Sequence, residues 1–276
     1  MQIETPDEGW QDDDSLTEHL LGVILVQQYN LKKGLGLFGD QAEEATTKEL
    51  QQIHNFGTYI PQEAKSLSRA ERMKALSALM FIVEKRNGNI KARKCAVGSK
   101  QRTFPGYVKA EWASPTVSTD GVIITSTIEA HQGRAIAVAD LPNAFLNAEN
   151  NEQTLMLLKG KLAELMVQID PQLYRKFIIT SSKGEPMLYV RLSKALYGLL
   201  QSALLFYCKL RSELEDYGFT VNPYDPYVAN KMINGKQMMV TWHVDDLKIS
   251  HMDSVEVTKC IDHFRKIYGD RMTVHC

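Results

Sequence analysis

The sequence has little cysteine, no long apolar run and almost no net charge, and each absence argues against a class of protein. Its 276 residues include 4 cysteines, which lie far apart and indicate neither a zinc site nor a disulfide framework. The longest early apolar run, residues 20–26, is too short to cross a bilayer, and the acidic residues before it are the wrong flank for a signal peptide. We expect an intracellular protein with reduced thiols and no membrane partner.

The net charge of −1 would ordinarily argue against a nucleic-acid partner, but the charges are segregated along the chain. The first twenty residues carry acidic side chains and no Lys or Arg, which is typical of a loose tail. The basic side chains of a later short stretch are Lys85, Arg86, Lys91, Arg93, Lys94, Lys100 and Arg102. Because these cations are concentrated, the small net charge does not exclude a nucleic-acid partner.

The apolar pattern of the C-terminal part predicts helices packed on an antiparallel sheet. With 44% hydrophobic residues the chain can form one large domain or two subdomains. A helix is predicted from about Gln201 and another over residues 254–268, with Ser254 and Gly269 as the caps of the second. The predicted strands, joined as a meander, are residues 227–232, 237–244 and 247–250.

A helix followed by a basic hairpin is predicted upstream. Ser68 and Glu71 form a capping-box pattern, and apolar residues then repeat at helical spacing up to a boundary near Leu79. An Asn-Gly pair then predicts a tight turn into a second strand. On that strand Lys91 and Arg93 share one face. There they would either meet the triphosphate of a nucleotide or lie on a solvated edge strand.

Three aspartates lie where predicted strands end. Residues 135–139 form a continuous small-apolar run consistent with a buried strand, and Asp140 ends it, where a carboxylate needs a partner or a metal. Asp245 and Asp246 lie between two β-prone runs. Both can approach one metal cluster only if the pair occupies a tight hairpin turn. Taken alone, the pair is also typical of a polar surface turn without chemistry.

Four sequence blocks occur in a fixed order along the chain. They are Lys91-Ala92-Arg93 with Ala96 and Gly98, residues 113–117, residues 140–147, and residues 194–202 ahead of His243-Val244-Asp245-Asp246. The last three read Ala-Ser-Pro-Thr-Val, Asp-Leu-Pro-Asn-Ala-Phe-Leu-Asn and Lys-Ala-Leu-Tyr-Gly-Leu-Leu-Gln-Ser. In order and approximate spacing, the set resembles the reverse transcriptase of copia-type LTR retrotransposons, from roughly Ala64 onward.

The resemblance implies an α+β fold, with the fingers and palm of a right-hand polymerase and an antiparallel palm sheet carrying packed helices. The chain stops just before the family's primer grip, so we expect the thumb, connection and RNase H regions to be absent. The implied division is an N-terminal segment of residues 1–63, fingers at about 64–115 and 151–200, and palm at about 116–150 and 201–276.

The resemblance also implies a two-metal nucleotidyl transfer. Asp140 and Asp245 would bridge two Mg²⁺ ions about 4 Å apart, with Asp246 also at the metal site and Mn²⁺ as an alternative ion. The partners would be an RNA or DNA template with its primer and deoxynucleotide triphosphates, in a cytoplasmic virus-like particle or the nucleus. The implied nucleotide-binding residues are Lys91, Arg93, Asn143, Ala144, Phe145, Tyr197, Gly198 and Gln201.

Two of these residues have an alternative role in the core. Phe145 falls where the family places an aromatic gate beneath the sugar, and Tyr197 where a side chain contacts the nucleotide, but either ring could equally be core packing. The sequence departs from the family pattern at His243, Leu200 and Ala203, where Tyr, Lys and Pro are usual. None of these departures removes a metal ligand. The alternative to a polymerase core is a catalytically inactive remnant with at most weak nucleic-acid binding, which the expected absence of the thumb favours and the intact carboxylate triad opposes; a nuclease is less favoured than either.

Overall fold

The computed structural model describes residues 28–115, 117–152 and 154–276. The predicted loose tail lies outside these residues. Within them, no helix combines the length and the apolar character needed to span a membrane. Backbone contacts divide the described residues into a smaller unit, within residues 28–46 and 80–93, and a larger unit, within residues 47–79 and 94–276.

The described chain contains both helices and strands. The helices are α1 (Leu31–Asn55), α2 (Arg69–Lys74), α3 (Lys109–Trp112), α4 (Thr119–Gln132), α5 (Lys161–Ile169), α6 (Pro171–Tyr174), α7 (Ser202–Asp216) and α8 (Ser254–Tyr268). The strands are β1 (Gln28–Asn30), β2 (Tyr59–Gln62), β3 (Leu76–Glu84), β4 (Ile90–Ala96), β5 (Ala135–Asp140), β6 (Leu155–Lys159), β7 (Ile179–Thr180), β8 (Pro186–Leu192), β9 (Thr220–Val221), β10 (Val228–Ile233), β11 (Lys236–His243), β12 (Asp246–His251) and β13 (Thr273–His275). The prediction of an α+β fold with packed helices is confirmed.

In the smaller unit, β1 runs antiparallel to the end of β3, with Gln28 opposite Val83. The predicted strand over residues 90–96 is confirmed as β4, which pairs with β3. The connection is longer than the predicted two-residue turn. The N–H of Lys85 donates to the carbonyl oxygen of Asn89 at 2.9 Å, and Asn87 Oδ1 accepts from the N–H of Asn89. The side chain of Asn87 therefore stabilises a loop of five residues between β3 and β4.

One sheet of the larger unit contains a parallel pair. The first residues of β3 run parallel to β6, with Leu76 opposite Met156, and β6 runs antiparallel to β8. The capping box on α2 is confirmed, but the predicted helix-to-strand boundary near Leu79 is wrong, since α2 ends at Lys74. Leu76 and Met80 are four residues apart. Because four is an even number, this spacing also places both side chains on one face of a strand, where they are buried.

The second sheet of the larger unit has six antiparallel strands in the order β13-β5-β12-β11-β10-β9. The predicted meander is confirmed as β10, β11 and β12. Helices α7 and α8 pack on one face, where Phe206, Trp242 and Phe264 form part of the core. The second predicted helix is confirmed with both bounds. Its N-cap is Asp253, whose side chain accepts from the N–H of Val255, so the assignment of Ser254 as the cap is wrong.

Strand β5 is buried on one face only. Ala137 and Ala139 are 0% and 1% exposed, whereas Ile136 and Val138 are 39% and 41% exposed. The expectation of a continuously buried strand is therefore wrong, because a sheet with helices packed along one face exposes alternate residues on the other.

Candidate active site

Two of the three predicted catalytic carboxylates lie opposite each other in the six-stranded sheet. Asp140 ends β5, Asp246 begins β12, and the register pairs them. The N–H of Leu141 donates to the carbonyl oxygen of Asp245 at 2.8 Å. Because this bond joins the residues flanking the pair, Asp140 and Asp246 form a non-hydrogen-bonded pair, the type in which Cα atoms are only about 4.5 Å apart. Both side chains therefore project from the same face at one end of the sheet.

The turn between β11 and β12 consists of Val244 and Asp245. Val244 has a φ of 54°, a left-handed conformation that β-branched residues rarely adopt. A positive φ at the first turn position is typical of the tight hairpins that join adjacent strands. The expectation that both aspartates occupy the turn is half right, since Asp246 is the first residue of β12. Backbone strain of this kind is concentrated at functional sites.

The carboxylates are open to solvent. Asp140 and Asp246 are exposed, and Asp245 is half-buried. The expectation that Asp140 is buried and therefore needs a partner is wrong. Its side chain lies on the exposed face of β5, with Ile136 and Val138. His243, one of the departures from the family pattern, lies opposite Asp246 across the hairpin. Within the described ranges, neither Asp140 nor Asp246 forms an ion pair with Lys or Arg.

The donor set suits a hard divalent cation. Among the residues that the structure describes, no group of three or more His, Cys, Asp or Glu side chains is arranged to hold a metal ion. Magnesium does not require such a cage, since it is commonly held by one or two carboxylates, with water and substrate phosphates completing its coordination. The paired, solvated carboxylates of Asp140 and Asp246 therefore fit Mg²⁺, with Asp245 adjacent in the turn.

A buried ion pair on the same face was not found from the sequence. Lys248 follows Asp246 by two residues, so the two side chains share a face of β12. The Nζ of Lys248 donates to Glu129 of α4 at 2.8 Å, and Glu129 is 3% exposed. Contacts with the hydroxyls of Thr125 and Ser126 complete its surroundings. The ammonium group is thereby held on α4 instead of neutralising Asp246. Strand alternation places Lys248 on the face of Asp246, but no local signal identifies Glu129 as its partner.

The loop after Asp140 is held by amide side chains. Asn143 adopts the left-handed conformation with φ 58°, and its carbonyl oxygen accepts from the Asn147 side chain at 3.1 Å. Its own Oδ1 accepts from Nε2 of Gln52 on α1. Ala144 is 1% exposed, so only its backbone could meet a ligand. The predicted contact of Asn143 and Ala144 with a triphosphate stays a prediction.

The two aromatic residues of the predicted nucleotide site contact each other. The rings of Phe145 and Tyr197 meet edge to face with centroids 4.6 Å apart, and Phe145 also lies 6.5 Å from Phe206 in the core. Phe145 is half-buried. The structure therefore brings the predicted pair together while leaving both the gate role and the packing role open for Phe145.

The turn that contains Gly198 is packed against the end of β4. The N–H of Ala96 donates to the carbonyl oxygen of Tyr197 at 2.7 Å, and a Cβ on Gly198 would lie 2.1 Å from the carbonyl oxygen of Ala96. Gln201 is buried, and its Nε2 donates to Asn150 Oδ1 at 3.2 Å. These contacts are structural, and the predicted nucleotide-binding role of Gly198 and Gln201 stays a prediction.

Lys91 and Arg93 lie on β4 in the smaller unit. Both are exposed, whereas Ala92 between them is buried, so the two cations share the solvated face as predicted. Their proposed contact with a triphosphate stays a prediction.

A helix-covered antiparallel sheet that displays paired carboxylates at one end, beside a hairpin turn with a positive φ at Val244, is consistent with an α+β polymerase fold. The chain belongs to the reverse transcriptase (RNA-dependent DNA polymerase) family, whose sequence model matches residues 74–269. The predicted kinship with copia-type retrotransposons is confirmed, and enzymes of the family generally use divalent metals.

Two curated relatives come from Arabidopsis thaliana. The retrovirus-related Pol polyprotein from transposon RE2 is 29% identical over 174 residues, which are 62% of this chain and 10% of that protein. The corresponding polyprotein from transposon RE1 is 29% identical over 180 residues, 65% of this chain and 11% of that protein. The chain thus spans about a tenth of the length of these relatives.

Telomerases are among the similar solved structures. Apo telomerase from Candida tropicalis is 10% identical, with a TM-score of 0.40, over 84% of this chain and 48% of that chain. Telomerase from Candida albicans in complex with a fragment of telomeric RNA is 11% identical, with a TM-score of 0.38, over 83% of this chain and 45% of that chain. These values are low, and the fold class rests on the strands and helices described above.

Proposed function

We propose that the chain is the catalytic core of an RNA-directed DNA polymerase that extends a primer with deoxynucleotide triphosphates on an RNA or DNA template. The observation that carries the proposal is the narrow pairing of Asp140 with Asp246, beside the hairpin turn at Asp245. Family membership supports the same reading, since the match includes all three aspartates.

The three aspartates would hold the divalent ions. When bound, two Mg²⁺ ions, or Mn²⁺, would supply Lewis-acid activation of the primer 3′-hydroxyl and neutralise charge on the leaving pyrophosphate. The protein positions these carboxylates relative to one another. The hydrogen bond from the N–H of Leu141 to the carbonyl oxygen of Asp245 holds the turn against the end of β5. The ion pair between Lys248 and Glu129 holds a competing cation away from the carboxylates.

The direct test is primer extension by the 276-residue chain. Oligo-dT annealed to poly-rA is incubated with dTTP and Mg²⁺ or Mn²⁺, and Asp140→Asn serves as the inactive comparison. The exposed loop variant Glu152→Gln is the matched control, because it also removes one carboxylate charge. We expect extension by the native chain and by Glu152→Gln but not by Asp140→Asn. A folded native chain without metal-dependent extension would favour the inactive remnant instead.

A further inference from the structure

A cleft in the larger unit is lined by cationic and amide side chains. Its volume is about 490 Å³. Among the described residues that line it, none is acidic. The lining residues that matter here are Lys48, Gln51, Gln52, Asn55, Phe56 and Arg271. All but Arg271 lie in the last two turns of α1 or directly after it, and Arg271 lies between α8 and β13.

The walls of this cleft are connected to the strand end that carries Asp140. Gln52 donates from Nε2 to Oδ1 of Asn143, three residues beyond Asp140. Arg271 lies two residues before Thr273, which is paired with Asp140 across β13 and β5. The cleft is thus a neighbour of the carboxylates with a different chemical character.

The lining fits a phosphate group. Lys48 and Arg271 are both exposed and bring two positive charges, and Arg offers a planar fork of donors that matches phosphate oxygens. The amides of Gln51 and Asn55 can add neutral donors, and Phe56 adds an aromatic side chain on which a base can stack. A concave site of this volume suits a small molecule, whereas a nucleic-acid strand is usually bound along an extended basic groove.

We propose that this cleft is a binding site for a phosphorylated small molecule of mononucleotide size, and that it binds without a divalent metal. The phosphate is the recognised group. Its source is either a nucleoside phosphate, whose base would contact Phe56, or free pyrophosphate, which would use the cations alone. The proposal does not depend on polymerase activity, because the binding of phosphate here requires none of the three aspartates.

The experiment is isothermal titration calorimetry on the 276-residue chain in EDTA, with AMP and with pyrophosphate as separate ligands. EDTA removes the ions through which the carboxylates could hold a nucleotide. We expect saturable binding of at least one ligand at one site. Lys48→Gln and Arg271→Gln should each weaken it at least about fivefold, since each removes a charge-assisted contact. Lys183→Gln, which removes an exposed lysine before β8, is the matched control and should leave binding unchanged.

Phe56→Leu distinguishes the two sources. Weaker AMP binding with unchanged pyrophosphate binding identifies a nucleoside phosphate, and binding of pyrophosphate alone identifies the free anion. Circular dichroism of each variant checks the fold, and Lys48→Gln suffices if Arg271→Gln unfolds. The proposal is overturned if neither ligand binds saturably, if Lys183→Gln weakens binding as much as the cleft variants, or if only an oligonucleotide binds.

Discussion

At the residue scale, the pairing of Asp140 with Asp246 places two like charges directly across a narrow antiparallel pair. Such pairs destabilise a sheet by roughly 0.2 to 1 kcal/mol. A cation bound at the site, as proposed, would offset this repulsion. We therefore expect the carboxylates to oppose stability in the metal-free chain and to contribute to it when a cation binds.

Asp246→Asn tests this repulsion. In EDTA we expect the free energy of unfolding to stay level or rise by up to about 1 kcal/mol, because one of the two facing charges is gone. We also expect Mg²⁺ to raise the Tm of the native chain, and this rise should be smaller in the variant. Urea unfolding and thermal melts with and without Mg²⁺ measure both effects, and Glu152→Gln controls for the loss of a surface carboxylate. A loss of more than about 1 kcal/mol in EDTA would show that Asp246 is stabilising and would contradict the repulsion argument.

Phe145 is the residue whose role is most sharply divided between packing and substrate choice. Phe145→Val removes the ring that contacts Tyr197 and should destabilise the chain by roughly 1 to 3 kcal/mol through a cavity. If the ring also fills the space of a ribose 2′-hydroxyl, ribonucleotide incorporation relative to deoxyribonucleotide should rise at least about tenfold, equivalent to about 1.4 kcal/mol. Single-nucleotide primer extension with each nucleotide type measures the ratio.

The matched control for this variant is Phe206→Leu, a fully buried aromatic of the same core. It should lower stability without moving the nucleotide ratio. An active Phe145→Val enzyme with an unchanged ratio would assign Phe145 to the core alone.

At the element scale, the turn after residues 194–197 is fixed by backbone contact with β4. Gly198 has a φ of 88°, and a Cβ there would lie 2.1 Å from the carbonyl oxygen of Ala96. A Cβ on Gly98 would in turn lie 1.9 Å from the carbonyl oxygen of Gly198. Neither neighbour is a flexible side-chain end, so an added methyl group must displace backbone.

Gly198→Ala should therefore lower the free energy of unfolding by more than about 2 kcal/mol, the sum of an unfavourable φ and an unrelieved clash. Gly106→Ala is the matched control, because Gly106 has a φ of 82° with open space around it. It should cost only roughly 1 kcal/mol for the φ alone. Urea unfolding of both variants measures the difference, and equal costs would mean that the contact with Ala96 is not what fixes the turn.

The elements that sequence reasoning predicted well are those with local signals. Asn234 and Gly235 adopt φ values of 50° and 76°, as an Asn-Gly hairpin requires. Helix α8 has a long apolar stripe and a terminal Gly269 with positive φ. The beginning of β3 was wrongly predicted as helix, because the spacing of Leu76 and Met80 fits both the helical repeat and the two-residue repeat of a strand. Only the parallel pairing with β6 shows that this segment is a strand.

At the scale of the whole molecule, the candidate site depends on partners distant in sequence. The three aspartates could be predicted from their positions at strand ends, but the narrow pairing of Asp140 with Asp246 depends on how β5 and β12 align. The buried pair of Lys248 with Glu129 requires α4 to cross the same face. Gln52, which contacts the loop after Asp140, lies upstream of the region that carries the family resemblance. None of these contacts leaves a local pattern.

The pH dependence of unfolding belongs to this scale, because it reports every group whose protonation differs between the folded and unfolded chain. Lys94 is the clearest such group. It is fully buried on β4, and its Nζ has no hydrogen-bond partner among the described residues. Burial lowers the pKa of Lys94 to about 7, although Cys95 and Glu49 act in the opposite direction.

The sign of its effect follows from the two states. Between about pH 7 and pH 10 the unfolded chain keeps the proton on Lys94 whereas the folded chain releases it, so the unfolded state binds more protons and stability rises with pH.

Lys94→Met removes the titrating group and keeps an unbranched side chain in the cavity. We expect this variant to be more stable than the native chain at pH 7, with the advantage shrinking by up to about 1.4 kcal/mol per pH unit as pH rises. Urea unfolding at pH 7, 8 and 9 measures the two slopes, and Lys183→Met controls for the loss of an exposed lysine. Parallel pH profiles for the native chain and Lys94→Met would show that Lys94 keeps its proton in the folded state, held by a partner such as Glu49 instead of being neutralised by burial.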